Sequence, residues 1–392
     1  MDYRGIILIS GVLTLLTGAT IAVEFFRRRP SGIDVATLSI CRSRVNAWWL
    51  LFSSLICAIL LGTGATILFF GAVSFWALRE YVTLTPTRPS DHKTIVGVFF
   101  LLTPLQFFLV GVDSEWFTGV FGHEPYFYYS ALIPSLAFLI LPAVIAMTDD
   151  TKYYLERIAK LQVGLLICVY SLSFAPALLT MELPMESSSV ASDSSEIVAA
   201  GLEDRVIRPI EESVVALQNS SRNDSEVASF SQDVEEGDLS GAPQTEPLAI
   251  SSPHKNLDVS NVTLLFVFVF LTQISDVAQY FWSLAFPKHK VAPNVNSHKT
   301  YEGLFLGILT TAFVAIALGY FMPFNHWAKC AFAGVVVSCM GFAGNITVSA
   351  IKRDQGVGDF ERLVDGHNGA LDRIDSLCFA APVFFHYVRI CC

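Results

Sequence analysis

The sequence predicts an all-α, polytopic integral membrane protein of about ten transmembrane helices, with a polar site at its cytoplasmic membrane face. Three observations carry that class. Of 392 residues, 53% are hydrophobic and only 15% are charged, whereas soluble domains carry about 25% charged residues. Apolar runs of about 20 residues, the length needed to cross a bilayer core, recur along the chain. Lys and Arg cluster in alternate connections between those runs, as the positive-inside rule requires.

The runs read as follows. Ile6 to Phe26 is a first crossing, followed by Arg27, Arg28 and Arg29. Ala47 to Leu78 is apolar for 32 residues, too long for one ordinary span, and Gly62-Thr63-Gly64 interrupts it midway. Glycine tolerates turn conformations that other residues avoid, so a hairpin of two helices is expected there. Thr94 to Val112, Pro125 to Met147 and Leu161 to Met181 are three further crossings. After an insert come Val262 to Phe286, Leu304 to Met322, Ala328 to Val348 and Ile374 to Ile390.

The insert, residues 182–260, divides an N-terminal set of helices (1–181) from a C-terminal catalytic region (261–392). It is Ser-rich and carries 16 Asp and Glu against 4 Lys and Arg, a net charge of −12. The chain as a whole is at −10, which leaves +2 for the remainder. Such a segment buries too little apolar surface to offset chain entropy, so it reads as a largely disordered extracytoplasmic loop. The acidity is local, and no nucleic-acid partner is expected. Eight cysteines occur without a C-x-x-C pair, and five fall in or beside apolar runs, which argues against a disulfide frame or zinc site.

With the N-terminus outside, the connections predicted inside are Arg27 to Asn46, Arg79 to Lys93, Asp149 to Lys160, Pro287 to Thr300 and Ser349 to Asp375. Each holds a Lys or Arg cluster. Reading Ala47 to Leu78 as one helix would invert every later connection and break the rule, which favours the hairpin.

Two of these inner connections carry chemistry. Ser349 to Leu377 holds a Lys352-Arg353 pair, a glycine-broken middle containing His367, and then Asp372 and Asp375. Three residues apart on a helix, the two Asp share one face and can address one cation. Two carboxylates with basic groups suit Mg²⁺, which takes few protein ligands and keeps phosphates and waters in its shell. His367 reads either as a phosphate or proton group or as a turn residue. The second connection, PKHKVAPNVNSHKTYEG, places Lys288, Lys290 and Lys299 within a dozen residues. Lys288 and Lys290 are equally explained as charges that stop a span. Lys299-Thr300 before Gly303, at a helix start, suits a phosphate. Upstream, Asp276 lies inside an apolar run, where a carboxylate is costly and usually faces a cavity or protein interior. Together these groups point to metal-assisted phosphoryl or nucleotidyl transfer at a membrane surface.

The same residues carry a resemblance. Ser349-x-x-Lys352-Arg353, Asp359 and Gly366-His367-x-Gly369-x-x-Asp372-Arg373-Ile374-Asp375-Ser376-Leu377 resemble the C-terminal signature of phosphatidate cytidylyltransferases, the CDP-diacylglycerol synthases. Asp276, Lys288-His289-Lys290-x-x-Pro293 and Lys299-Thr300-x-x-Gly303 resemble that family's preceding motif region. The resemblance implies transfer of a cytidylyl group from CTP to phosphatidate or a similar lipid phosphate, with Mg²⁺ and a second cation as the cofactor expectation. It implies catalytic roles for Asp276, Lys299, Lys352, Arg353, Asp372 and Asp375. Lys288, Lys290, Thr300, Ser349, His367 and Arg373 would contact substrate, and Asp372, Asp375 and Asn345 would hold metal. A bacterial inner membrane, a cytoplasm-facing site and a homodimer follow as further expectations.

Several positions depart from the family pattern. Gly358 stands where Lys is usual, Asp365 where Pro is usual, and Asn368 where Gly is usual. Asn296-Ser297-His298 replaces Ser-Pro-Gly, and Asn345 takes the place of an acidic metal ligand. An amide oxygen ligates a cation without contributing charge. The alternative reading is therefore a non-catalytic lipid-phosphate binding or transport relative with a degenerate metal site.

Overall fold

In a computed structural model, described for residues 3–28, 35–85, 88–181, 254–324, 326–356 and 369–392, the chain is helical with one small β-hairpin. Met1–Glu182 and His254–Cys392 form one compact unit. The two membrane regions on either side of the insert thus build a single bundle. Of the insert expected to be disordered, residues 182–260, the part 182–253 lies outside the described residues, whereas 254–260 belong to a helix.

The helices are α1 (Tyr3–Arg28), α2 (Val35–Leu61), α3 (Thr63–Leu84), α4 (Pro89–Gly111), α5 (Ser114–Phe121), α6 (Pro125–Ala146), α7 (Tyr154–Ala177), α8 (His254–Ala285), α9 (Tyr301–Ala317), α10 (Trp327–Asp354) and α11 (Leu371–Cys391). Among the described residues nine are long and apolar enough to cross a membrane, and α9 is a shorter apolar helix of 17 residues. At 1.5 Å per residue α9 extends about 26 Å, just under the hydrocarbon thickness of about 30 Å. These nine and α9 correspond to the ten expected crossings. The remaining helix, α5, is an eight-residue piece whose N-terminus the Asp113 side chain caps.

The long apolar run divides where expected. Gly62 separates α2 from α3 with φ 108° and ψ 175°, a backbone region essentially confined to glycine. Both helices also extend into polar flanks, so each is a full-length crossing.

Within α4, α6 and α7 a wide π-helical turn interrupts the ladder, at Val98–Leu102, Leu132–Ala137 and Leu166–Ser171. Buried polar side chains meet carbonyls at these irregular stretches. Thr103 donates to the Val98 carbonyl at 3.0 Å, and Ser74 donates from α3 to that of Cys168 at 2.7 Å.

The centre of the bundle is α8, of whose most apolar window 78% is buried, against 17% for α1 and α2. Leu264 to Leu271 are almost fully enclosed, and Phe268 stacks on Phe384 of α11 with ring centroids 4.9 Å apart. Next to α11, α10 approaches at Gly344, where a Cβ would lie 2.5 Å from the Asp375 carbonyl oxygen. Small residues allow such backbone approach between membrane helices.

Pro287 to Thr300, read from sequence as a loop, forms the antiparallel hairpin β1 (Lys290–Ala292) and β2 (Asn296–Thr300). Val295 N–H bonds to the Ala292 carbonyl at 3.0 Å, closing a turn with Pro293 and Asn294 at its centre. That is turn chemistry the sequence carried: Pro presets the first central residue. The hairpin is tied to α9 by His289, whose Nδ1 lies 2.6 Å from Glu302 Oε1.

The ends of the helices sort into two groups, in agreement with the alternation of basic connections. At one end Arg4 lies over Tyr320, Tyr126 Oη meets His386 Nε2 at 3.0 Å, and Arg389 pairs with Glu124 at 3.0 Å. At the other, Arg88 pairs with Asp150, Arg157 with Asp91, and Asn296 donates to Ser349. Described residues of connections 79–93 and 149–160 thus meet there, and Val295 and Asn296 meet Arg353 and Ser349 at the end of α10.

Candidate active site

The candidate site lies where α8, β2, α10 and α11 converge. Asp276 and Gln279 project from α8, Lys299 and Thr300 from β2, Asn345 from α10, and Asp375 and Ser376 from the start of α11. Ser376 Oγ is the junction. It donates to Asp276 Oδ1 at 2.7 Å, lies 3.4 Å from Asp375 Oδ1, and accepts the Asn345 side-chain N–H at 2.6 Å. Asn345 also donates to Asp276 Oδ1 at 3.4 Å. Two carboxylates from different helices therefore flank one hydroxyl, with an amide beside them.

Lys299 is buried beneath this pair, 8% exposed. Its Nζ donates to Gln279 Oε1 at 3.2 Å and lies 5.5 Å from the Phe342 ring centroid. Burial pushes the Lys299 ammonium below its usual range, the charges of Asp276 and Asp375 act against that, and Arg44 adds to it. Gln279 is oriented by its own donors, which reach the Ser338 carbonyl at 3.0 Å and Ser338 Oγ at 3.1 Å. Thr300 caps α9 through the Gly303 N–H at 3.0 Å, and its own N–H reaches Ser283 Oγ at 3.4 Å.

The other expected residues are distributed around this centre. Lys352 forms an ion pair with Asp372, which gives Asp372 and Asp375 different partners although they share α11. Ser349 accepts from Asn296 at 3.3 Å, and Arg353 Nε donates to the Val295 carbonyl at 3.4 Å, so both join α10 to the hairpin. Arg373 is half-buried beside Asp372. Lys288 and Lys290 are exposed on the hairpin and its approach. His367 lies outside the described residues.

Four contributors were not assigned to the site from sequence. Ser376 stands inside the quoted motif without an assigned role. Gln279 lies outside the motif residues, three positions after Asp276. Arg44 and Glu80 belong to basic connections that were counted for topology alone. Arg44 sets its guanidinium 4.2 Å from the Tyr280 ring centroid, and Glu80 accepts the Leu371 N–H at 3.2 Å. The alternation that placed their connections on the motif's side was the available signal.

Chemically, the arrangement presents a partly accessible carboxylate, Asp276, next to an enclosed one, Asp375, with an internal cation behind them and Lys352 and Arg353 alongside. Among the described residues no three or more His, Cys, Asp or Glu are grouped so as to hold a metal ion by themselves. Two carboxylates and an amide make a hard, oxygen-bearing set of low ligand number, which suits a cation that keeps waters or substrate oxygens.

Comparison with known proteins gives three findings. The family model described as the Cytidylyltransferase family matches residues 42–391. The uncharacterized protein YnbB of Escherichia coli is 27% identical over 352 residues, covering 89% of this chain and 87% of that protein. The phosphatidate cytidylyltransferases of Haemophilus influenzae and Staphylococcus epidermidis are 35% and 34% identical over 129 and 122 residues, covering 32% and 31% of this chain. Those matches span 44% and 46%, under half, of the lengths of the two enzymes.

Proposed function

The chain belongs to the Cytidylyltransferase family and is a nucleotidyltransferase of the membrane, and from that premise we propose that it transfers a cytidylyl group from CTP to phosphatidate. In this reaction a phosphate oxygen of phosphatidate attacks the α-phosphorus of CTP. The new O–P bond forms as the bond from the α-phosphorus to the α,β-bridging oxygen breaks. The products are CDP-diacylglycerol and pyrophosphate.

The observation that carries the proposal is the Asp276–Ser376–Asp375 junction with Lys299 buried behind it. An attacking phosphate is already an anion, so the protein's task is to position two anions and neutralise their charge. Asp276 and Asp375, with the Asn345 amide, are the residues that would hold Mg²⁺. When bound, the ion supplies charge neutralisation at phosphate oxygens. Ser376 keeps the two carboxylates in register by bonding to both. Lys299 offsets their negative charge from within the bundle. Lys352 and Arg353, at the end of α10, would meet phosphate oxygens. The basic connections belong on the cytoplasmic side of an inner membrane, where CTP is available.

The test is direct. Purified protein in lipid nanodiscs, given CTP, Mg²⁺ and phosphatidate, is expected to release pyrophosphate and form CDP-diacylglycerol. If neither product forms across a panel of lipid phosphates, while a phosphatidate cytidylyltransferase is active in the same assay, the proposal fails.

A further inference from the structure

Arg44 is a charge for which the chemistry above has no role. It is half-buried near the start of the apolar part of α2, with its guanidinium 4.2 Å from the Tyr280 ring centroid. Tyr280 follows Asp276 by four residues on α8, so both side chains stand on one helix face. Arg44 is close enough for its charge to act on Asp276 and on Lys299. Asp276, Tyr280 and Asn345 are partly accessible, whereas Lys299 and Asp375 are enclosed. Arg44 therefore stands on the accessible side of the site.

Among the described residues its bonding is incomplete. A guanidinium carries five N–H donors along its edges and none on its face. The guanidinium carbon of Arg44 lies over the Tyr280 ring, a cation–π attraction that supplies its N–H groups with no oxygen acceptor. Among the described residues, no carboxylate or carbonyl hydrogen-bonds to its edges. An arginine held over an aromatic ring near Asp276, with no oxygen acceptor among the described residues, is suited to an anion that presents oxygens. The negative charges of Asp276 and Asp375 do not fill this role, because Ser376, Asn345 and the buried Lys299 already engage them.

We propose that Arg44 is a further binding residue of this site, donating its edge N–H groups to phosphoryl oxygens of a substrate. The inference rests on the nucleotidyl-transfer reading above, whose two substrates, a nucleoside triphosphate and a lipid phosphate, both present that chemistry. It also assigns the N-terminal half of the chain a direct part in binding, through a helix separated in sequence from every quoted motif.

The test uses full-length Arg44→Gln and Arg44→Lys in nanodiscs, with KM measured for CTP and for phosphatidate, each at saturating co-substrate. Equilibrium binding of CTP alone, and of phosphatidate-containing vesicles alone, is measured in parallel. Arg44→Gln is expected to raise KM and Kd for one substrate by about ten-fold or more, with a smaller change in kcat, and Arg44→Lys to recover part of the loss. A shift confined to CTP assigns the nucleotide, and one confined to phosphatidate assigns the lipid. If both variants keep every KM and Kd within roughly two-fold of wild type, as a weak exposed-charge effect would, Arg44 only anchors α2 to α8 and the inference is overturned. Absence of turnover in the wild-type protein would sink the reaction proposed above. The binding measurements would still decide the role of Arg44.

Discussion

The Glu80 carboxylate, near the end of α3, accepts the backbone N–H of Leu371, the first residue of α11, at 3.2 Å across 291 residues of chain. A helix start leaves N–H groups unpaired and carries partial positive charge, so a carboxylate there both bonds and complements it. The helix so capped carries Asp372, Asp375 and Ser376. Gly369 makes the contact sterically feasible, since a Cβ at that position would overlap Glu80.

Glu80→Gln is therefore expected to lower kcat by about ten-fold, with a charged hydrogen bond of about 1.5–3 kcal/mol weakened. Gly369→Ala should cost more, because it displaces the carboxylate outright. Pyrophosphate release and thermal unfolding in detergent read both effects. Unchanged kcat in both variants would show that the cap does not position the site.

The three aspartates should rank by their partners. Asp276→Asn and Asp375→Asn are expected to lower kcat by about 10²–10³-fold, the scale of losing a preorganised electrostatic group. Asp372→Asn should fall short of that, because Asp372 is engaged by Lys352. Chelation should abolish turnover in the wild-type protein, and added Mg²⁺ should restore it. Equal losses at all three positions would contradict the ranking.

Asn345→Asp replaces an uncharged donor with a third carboxylate beside Asp276 and Ser376. Like charges in one site repel unless a cation relieves them. The Mg²⁺ concentration for half-maximal rate should therefore fall, and thermal stability without Mg²⁺ should fall as well. A Mg²⁺ titration and a melting curve in chelator test the pair of effects; an unchanged titration would place Asn345 outside the cation's reach.

Acid sensitivity is expected at the junction of connections 79–93 and 149–160. Burial acts to raise Asp150, but the Ser90 hydroxyl, the Lys152 N–H and the charges of Arg88 and Arg157 together hold it below its usual value. A lowered folded pKa contributes stability above the unfolded value of about 3.9, lost as pH falls through the folded value. The unfolding temperatures of wild type and Asp150→Asn should differ near neutral pH and converge in acid. A constant difference down to the lowest accessible pH would refute the assignment.

Gly62→Ala places a Cβ on a backbone at φ 108°, with no neighbour within 4 Å to clash. The cost is conformational, about 1–3 kcal/mol for such a region. Lower thermal stability with an unchanged KM for both substrates is the expected result. A wild-type melting temperature would mean the turn relaxes freely.

Much of this protein was legible in its sequence because the signals are local. A bilayer demands apolar runs of a set length, so the crossings, and the break at Gly62 within an overlong run, follow from residues next to one another. Basic residues in alternate connections determined which helix ends lie together. The order of Lys352, Arg353, Asp372 and Asp375 marked the chemistry, because i, i+3 spacing on a helix is also local. The β-hairpin at 290–300 was passed over, since its short strands carry weak alternation beside a much stronger membrane signal.

What only the tertiary structure decided is which charges face one another. Asp276 meets Ser376 across 100 residues, and Lys352 pairs with Asp372 between two helices. Arg44 and Glu80 reach the site from helices that carry none of the motif. No spacing along the chain encodes these pairings. They arise where α8, packed closely with α9, α10 and α11, brings buried polar groups within bonding distance, and burial makes leaving any of them unpaired too costly to persist.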